Sequence, residues 1–229
     1  MKVANQIKRR KFLCQTAGGL ALFAGLGAAG AVAAEAGKRG GKPPAAVEQL
    51  LAAMEQQGRQ MLSVPRKDGQ FLNLLIKATR AKNVLEVGTS QGYSAIWISL
   101  GLEETGGKMT TIDIRPDRVQ MAKENLGKAG LTHRVTFKEG DAHEVVPTLD
   151  GPFDFVFLDA DKSGQLDYFQ KLFPKKLTPG AIIAVHNAIR MAKDMKDYQD
   201  MISQHPEFDN VVLSLTMEDG FSVSYRHRV

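Results

Sequence analysis

Hydrophobic residues recur along most of the chain in two alternating patterns, one with the period of an α-helix and one typical of short β-strands. Helical spacing predicts two leading helices, over residues 45–62 and 68–80. Beyond residue 82, β-rich runs alternate with amphipathic stretches. The predicted strands are 83–87, 109–114, 134–138, 153–158, 181–185, 210–215 and 221–225, and the predicted helices between them are 93–102, 116–129, 166–177 and 191–204.

This alternation of strands and helices indicates an α/β fold of the Rossmann-like kind, in which a mostly parallel sheet carries helices on both faces. The last two strands follow one another without a helix, so an antiparallel hairpin is expected at the sheet edge. A length of 229 residues suits one domain of this type and is short for two.

The first 34 residues differ in composition from the rest of the chain. A basic segment that includes Arg9 and Arg10 precedes an apolar run over residues 17–34, which ends in small residues. This order resembles a twin-arginine export signal. We therefore expect a leader over residues 1–34, a linker over 35–44, a folded body over 45–229, and a periplasmic or membrane-associated location. The alternatives are an uncleaved anchor and a basic tail. If the leader is not functional, the protein is expected to stay in the cytoplasm.

The positive charge of the chain belongs to this front segment. The formal net charge is +5, yet residues 1–42 hold eight lysines and arginines against one glutamate, which leaves the remainder at −2. A mildly acidic body offers no electrostatic surface for nucleic acid. The only cysteine, Cys14, lies in the leader, so the body has no disulfide and no thiol chemistry.

Three successive predicted strands end in residues that suit a nucleoside ligand. The first runs into a glycine turn with Gly88 and Gly92, the second ends at Asp113, and the third is followed by Asp141. Glycines let the backbone approach a ligand, and a carboxylate can accept hydrogen bonds from ribose hydroxyls. Asp113 also suits a helix N-cap before Pro116. These residues alone leave NAD and S-adenosylmethionine both open.

The motifs around these strand ends resemble those of the cation-dependent O-methyltransferases, a group that includes caffeoyl-CoA and catechol O-methyltransferases. The matching segments are VLEVG at 84–88, GYSA at 92–95, TIDI at 111–114, GDA at 140–142 and FLDADK at 157–162. The resemblance covers the body and implies a class I methyltransferase fold with S-adenosylmethionine as cofactor. The residues that it assigns to the cofactor are Ser63, Val64, Glu86, Gly88, Ser94, Asp113, Asp141, Ala142 and Asp159.

The same resemblance implies a divalent metal beside a basic lysine. It assigns the metal to Asp159, His186 and Asn187, and makes Lys162 the general base that deprotonates the acceptor. The chain has His186 where the family has an aspartate. Imidazole nitrogen suits manganese, iron, cobalt or zinc better than magnesium. The alternative is that His186 binds no metal and accepts a proton itself.

These observations predict an O-methyltransferase that acts on a small, aromatic or catechol-like hydroxyl acceptor. The contrasting hypothesis is an exported or tethered binding protein that kept the fold and lost catalysis. An NAD-dependent dehydrogenase is disfavoured, because the glycine spacing does not match the dinucleotide motif. The resemblance also implies a homodimer, and membrane association is expected only through the leader.

Overall fold

Helices and strands alternate along residues 43–57, 59–216 and 218–228, the part of the chain that the computed structural model describes. The helices there are α1 (Ala45–Gln56), α2 (Arg66–Thr79), α3 (Tyr93–Thr105), α4 (Pro116–Lys128), α5 (Ala142–Thr148), α6 (Gln165–Leu172) and α7 (Lys196–Ser203). The strands are β1 (Asn83–Val87), β2 (Lys108–Asp113), β3 (Val135–Glu139), β4 (Phe153–Leu158), β5 (Leu177–His186), β6 (Phe208–Leu213) and β7 (Phe221–Arg226). The predicted leader lies outside the described residues.

The seven strands form one sheet in the order β3-β2-β1-β4-β5-β7-β6. The first five are parallel, and β7 runs antiparallel to both β5 and β6. The predicted α/β fold, with a mostly parallel sheet and an antiparallel edge hairpin, is confirmed. Because β1 pairs with both β2 and β4, the strand order reverses there, and the carboxyl ends of these strands flank a crevice in which open α/β sheets bind ligands.

Two hydrophobic clusters cover the two faces of the sheet. The first packs α1, α2, α3 and α4 against one face, with Leu51, Leu72, Ile96 and Leu126 among its buried members. The second packs α5, α6 and α7 against the other, with Val146, Tyr168 and Tyr198. Alternate residues of β4 supply both clusters, Phe155 and Phe157 to the first and Val156 and Leu158 to the second. The sheet is therefore buried on both sides, and no helix among the described residues is long and apolar enough to cross a membrane.

Several element boundaries differ from the sequence prediction. The first helix ends at Gln56 and is followed by a 3₁₀ turn at Arg59–Met61. The helix predicted over 166–177 ends at Leu172, because Pro174 cannot continue it. The helix predicted over 191–204 begins only at Lys196, after a run of turns that starts where Asn187 adopts a left-handed φ of 63°. Helix α5 was not predicted.

Candidate active site

A cavity of about 580 Å³ opens at the carboxyl ends of β1, β2 and β4. Five of the residues predicted to bind the cofactor contribute to its wall: Gly88, Asp113, Asp141, Ala142 and Asp159. They come from four different strand ends, so the sheet topology brings them together. We call this space the cofactor cavity.

Gly88 forms the tightest part of the cofactor cavity, where the turn after β1 passes the end of β4. Its φ is +101°, a value that favours glycine. A Cβ at this position would lie 2.8 Å from the backbone carbonyl carbon and oxygen of Asp159. A side chain at this position would therefore push the two strand ends apart. This steric limit, together with the positive φ, explains why residue 88 is a glycine.

Asp113 lies at the end of β2 with its carboxylate already fixed by backbone donors. Ser90 N donates to Oδ2 at 2.7 Å and Arg115 N donates to Oδ1 at 3.0 Å. Each carboxylate oxygen keeps a further lone pair that can accept a hydroxyl hydrogen bond. Asp113 is thus oriented as a bidentate acceptor, as a ribose diol requires.

Glu86 and Ser94 are not among the residues that line the cofactor cavity, and their contact with the methionine part of the cofactor stays a prediction. Glu86 is fully buried, and Ser94 Oγ donates to its Oε1 at 2.6 Å while Thr111 Oγ1 donates to its Oε2 at 2.5 Å. Burial raises the pKa of Glu86 to about 7, against the opposing effect of these two hydrogen bonds. Glu86 therefore lies behind the glycine turn, where its hydrogen bonds to Ser94 and Thr111 connect α3 to β2.

The other end of the cofactor cavity is built around helix α5. Asp141 caps the helix by accepting a hydrogen bond from His143 N at 2.9 Å. The His143 ring stacks on Tyr168 with ring centroids 4.4 Å apart, and Tyr168 OH donates to Asp161 Oδ1 at 2.5 Å. Sequence reasoning missed Tyr168 and Asp161 as wall residues, because nothing local in their pattern distinguishes them from core and surface positions.

A second cavity of about 600 Å³ lies next to the first. The two share Leu62, Asp159 and Ala160 in their walls. Ser63 and Val64, which the prediction placed over the cofactor, line this second cavity. Lys162, His186 and Asn187 also line it, and we call it the acceptor cavity.

Three charged side chains meet at the floor of the acceptor cavity. Lys162 Nζ donates to Asp159 Oδ1 at 2.7 Å, and His186 Nδ1 lies 3.1 Å from the same oxygen. Burial raises the pKa of the Asp159 carboxyl, but the charges of Lys162 and His186 outweigh burial and hold this pKa below its usual range. The carboxylate is therefore ionised and holds both cationic side chains in place.

His186 also contacts a carboxylate on its other side. Its Nε2 lies 3.0 Å from Oδ2 of Asp68, a fully buried residue of α2. Burial lowers the pKa of His186, but the attraction of Asp159 and the hydrogen bonds to Asp159 and Asp68 outweigh this and raise it to about 9. Sequence reasoning did not single out Asp68 as a site residue.

Each of the predicted metal ligands already has a hydrogen-bond or ion-pair partner from the chain in this arrangement. Both ring nitrogens of His186 face carboxylates, Oδ1 of Asp159 already has two nitrogen partners, and Asn187 Nδ2 donates to Asp219 Oδ1 at 3.2 Å. A histidine ligand must offer a cation an unprotonated nitrogen. This geometry therefore does not fit a divalent metal held by Asp159, His186 and Asn187. A different group, Asp68, His186 and Asp219, has one ligand atom from each within 4.8 Å of the others.

Comparison with known proteins identifies the family. A family model described as O-methyltransferase matches residues 40–220. The chain belongs to the O-methyltransferase family. The sequence prediction of an O-methyltransferase is thereby confirmed.

Named relatives and solved structures agree with this assignment. A catechol O-methyltransferase of Niastella koreensis is 38% identical over 151 residues, which are 63% of this chain and 67% of the relative. A catechol O-methyltransferase of Mycobacterium tuberculosis is 33% identical over 194 residues, 78% of this chain and 87% of the relative. The crystal structure of an O-methyltransferase from Bacillus cereus in complex with SAH superposes with a TM-score of 0.72 at 26% identity, and covers 86% of this chain and 97% of that one.

Proposed function

We propose that this chain transfers a methyl group from S-adenosylmethionine to a hydroxyl group of a small, aromatic, catechol-like acceptor. The observation that carries the proposal is that Leu62, Asp159 and Ala160 line both the cofactor cavity and the acceptor cavity, so the two cavities adjoin. A methyl donor in the first cavity would then lie next to an acceptor in the second. The relatives named catechol O-methyltransferase and the neighbour solved with SAH support both halves of the proposal.

The cofactor would bind with its ribose hydroxyls on Asp113 and its adenine toward Asp141 and His143. Asp113 suits the ribose because both carboxylate oxygens are fixed in the cavity wall by backbone donors. The exposed side chains of Leu62 and Ile114, which line the same cavity, would cover the nucleoside. The sulfonium methyl group would then point toward Asp159 and the acceptor cavity.

Methyl transfer is an in-line displacement that also moves one proton. The acceptor O–H proton passes to Lys162 Nζ, the oxygen forms a bond to the methyl carbon, and the C–S bond breaks with its electron pair on sulfur. The products are a methyl ether, S-adenosylhomocysteine and one proton. Lys162 is ion-paired with Asp159 in the structure, so its ammonium must first release a proton to solvent before it can act as the base.

The lining of the acceptor cavity suits an aromatic ring that carries hydroxyl groups. Met54, Val64 and Met191 supply apolar surface, and Lys162 supplies a polar contact at the floor. Sites for small molecules are commonly apolar with a few polar groups that fix orientation. We therefore expect a catechol to bind with its ring on the apolar side and a hydroxyl at Lys162.

The experiment that tests this function combines calorimetry with a turnover assay. Titration with S-adenosylmethionine should show one site, and catechol should yield a monomethylated product. Lys162→Ala should abolish turnover while cofactor affinity stays the same, and Lys175→Ala, at an exposed lysine, is the matched control. Cofactor binding without turnover of any hydroxyl acceptor would favour the catalytically silent binding protein, and full activity of Lys162→Ala would remove Lys162 from the reaction.

We further propose export through the twin-arginine-like leader, which lies outside the described residues. The proposal is supported only by the order of basic, apolar and small residues over positions 8–34. Fusion of residues 1–44 to a reporter should place the reporter outside the cytoplasm. Replacement of Arg9 and Arg10 by lysine should retain it inside, and an unchanged distribution would contradict a twin-arginine route.

A further inference from the structure

His186 is held by two carboxylates that are far apart in the sequence. Its Nδ1 lies 3.1 Å from Asp159 Oδ1, and its Nε2 lies 3.0 Å from Asp68 Oδ2. An ionised carboxylate only accepts hydrogen bonds, so a histidine that bridges two of them carries a proton on both ring nitrogens. The ring is nearly enclosed, with its side chain 6% exposed. His186 is therefore a fixed cation at the floor of the acceptor cavity.

The formal charges of this group are already balanced. Asp68 and Asp159 contribute two negative charges, and Lys162 and His186 contribute two positive charges. With aspartate at position 186, as the resemblance to the cation-dependent O-methyltransferases implies for the family, the same four side chains would total −2, which is the charge that a divalent cation neutralises. His186 instead supplies positive charge from the chain itself, next to Asp68 and Asp159. Buried carboxylates require such pairing with an opposite charge.

The neighbouring polar side chains also donate hydrogen bonds to the carboxylates of this region. Thr216 Oγ1 approaches the Asp68 carboxylate at 3.3 Å, and the side chains of Asn187 and Arg190 both donate to Asp219 Oδ1, at 3.2 and 3.4 Å. Each carboxylate of the region thus has a hydrogen-bond donor from the chain itself. A metal ion would have to displace several of these donors to obtain its ligands.

We propose that His186 replaces the divalent cation of the family, and that the enzyme transfers its methyl group without a metal. The inference rests on the proposed function, and it makes His186 a positioning residue. By bridging Asp68 and Asp159, His186 fixes the carboxylate that orients Lys162, and its charge stabilises the acceptor oxyanion once Lys162 has taken the proton. Bond making and breaking are those of the methyl transfer described above.

Direct measurement of metal binding tests the proposal independently of catalysis. Manganese titration of the whole chain, followed by electron paramagnetic resonance, should show no bound ion in the wild type. His186→Asp restores the aspartate of the family, and should bind one equivalent of Mn²⁺. His186→Asn removes the bridge without adding a carboxylate, and should bind none. Activity of the wild type should survive chelation, whereas that of His186→Asp should be lost on chelation and return with Mn²⁺.

A wild-type protein that binds Mn²⁺ and loses turnover on chelation would overturn the proposal. Loss of that binding in Asp68→Asn and Asp219→Asn would then identify Asp68, His186 and Asp219 as the ligands. The wild-type titration decides the question even if His186→Asp fails to fold. Absence of S-adenosylmethionine binding in the same preparation would instead defeat the proposed function, so the two failures are distinguishable.

Discussion

Glu86 is a buried carboxyl whose protonation should be visible in the stability of the whole domain. It has no exposed surface, and its nearest partners are the hydroxyls of Ser94 and Thr111. Burial raises its pKa from 4.5 to about 7, with Asp159 and Asp113 adding smaller contributions in the same direction. The folded protein thus keeps a proton on Glu86 over a pH range in which the unfolded chain has lost it.

The sign and size of the effect follow from this difference in pKa. Because the folded state binds the extra proton, the free energy of unfolding should fall as the pH rises from 4.5 to about 7, and stay low above that. At about 1.4 kcal/mol per pKa unit, the full loss is about 3 kcal/mol. Glu86→Gln keeps the shape of the side chain and cannot ionise. The variant should match the wild type at acid pH and exceed its stability by about 3 kcal/mol above neutrality.

Urea unfolding at a series of pH values measures this difference. The single tryptophan, Trp97, is buried and reports loss of the core by fluorescence. Subtracting the wild-type curve from that of Glu86→Gln removes the titration of all other groups. Glu144→Gln, at an exposed glutamate, is the matched control and should run parallel to the wild type. Parallel curves for Glu86→Gln would show that the pKa of Glu86 does not change on folding, and would refute the reasoning.

Three further substitutions probe the site and its support. Asp113→Ala should weaken S-adenosylmethionine binding by about tenfold or more in calorimetry, because hydrogen bonds from the ribose to a charged group are lost; it should also lower the melting temperature, because Ser90 N and Arg115 N lose their acceptor. Unaltered affinity would place the ribose elsewhere. Gly88→Ala should lower both cofactor affinity and melting temperature, since the new Cβ meets the backbone of Asp159 at 2.8 Å. Gly69→Ala should destabilise the domain by about 1–3 kcal/mol in urea, because its Cβ would overlap the Trp97 indole; a stable variant would mean that the indole has room to move.

The sequence predicted the parts of the site that lie at strand ends. Gly88, Asp113 and Asp159 each follow a hydrophobic run, and parallel strands bring their carboxyl ends to one edge of the sheet. Any sequence with this alternation would place these residues near one another. Their roles as cofactor ligands remain predictions, while their shared cavity is a property of the fold.

The rest of the site depends on contacts that leave no local pattern. Asp68 lies 118 positions from His186 in the sequence, so the residues around either position do not predict the contact. Glu86 stands in a hydrophobic strand, but the pattern does not say whether its side chain meets a ligand or the hydroxyls of neighbouring elements. Helix α5 escaped prediction because it has only seven residues and contains Pro147, so its periodicity is too short to detect.

The lining that the cofactor and acceptor cavities share has a thermodynamic consequence. Asp159 lines both cavities and also holds Lys162 and His186. A shift of its carboxylate when a ligand binds in one cavity would therefore change the contacts available in the other. The two ligands are then linked. If the bound methyl donor changes the affinity for the acceptor by some factor, the bound acceptor changes the affinity for the donor by the same factor, because coupling free energies are reciprocal. An acceptor titration in the presence and absence of S-adenosylhomocysteine therefore measures how strongly one carboxylate connects the two sites.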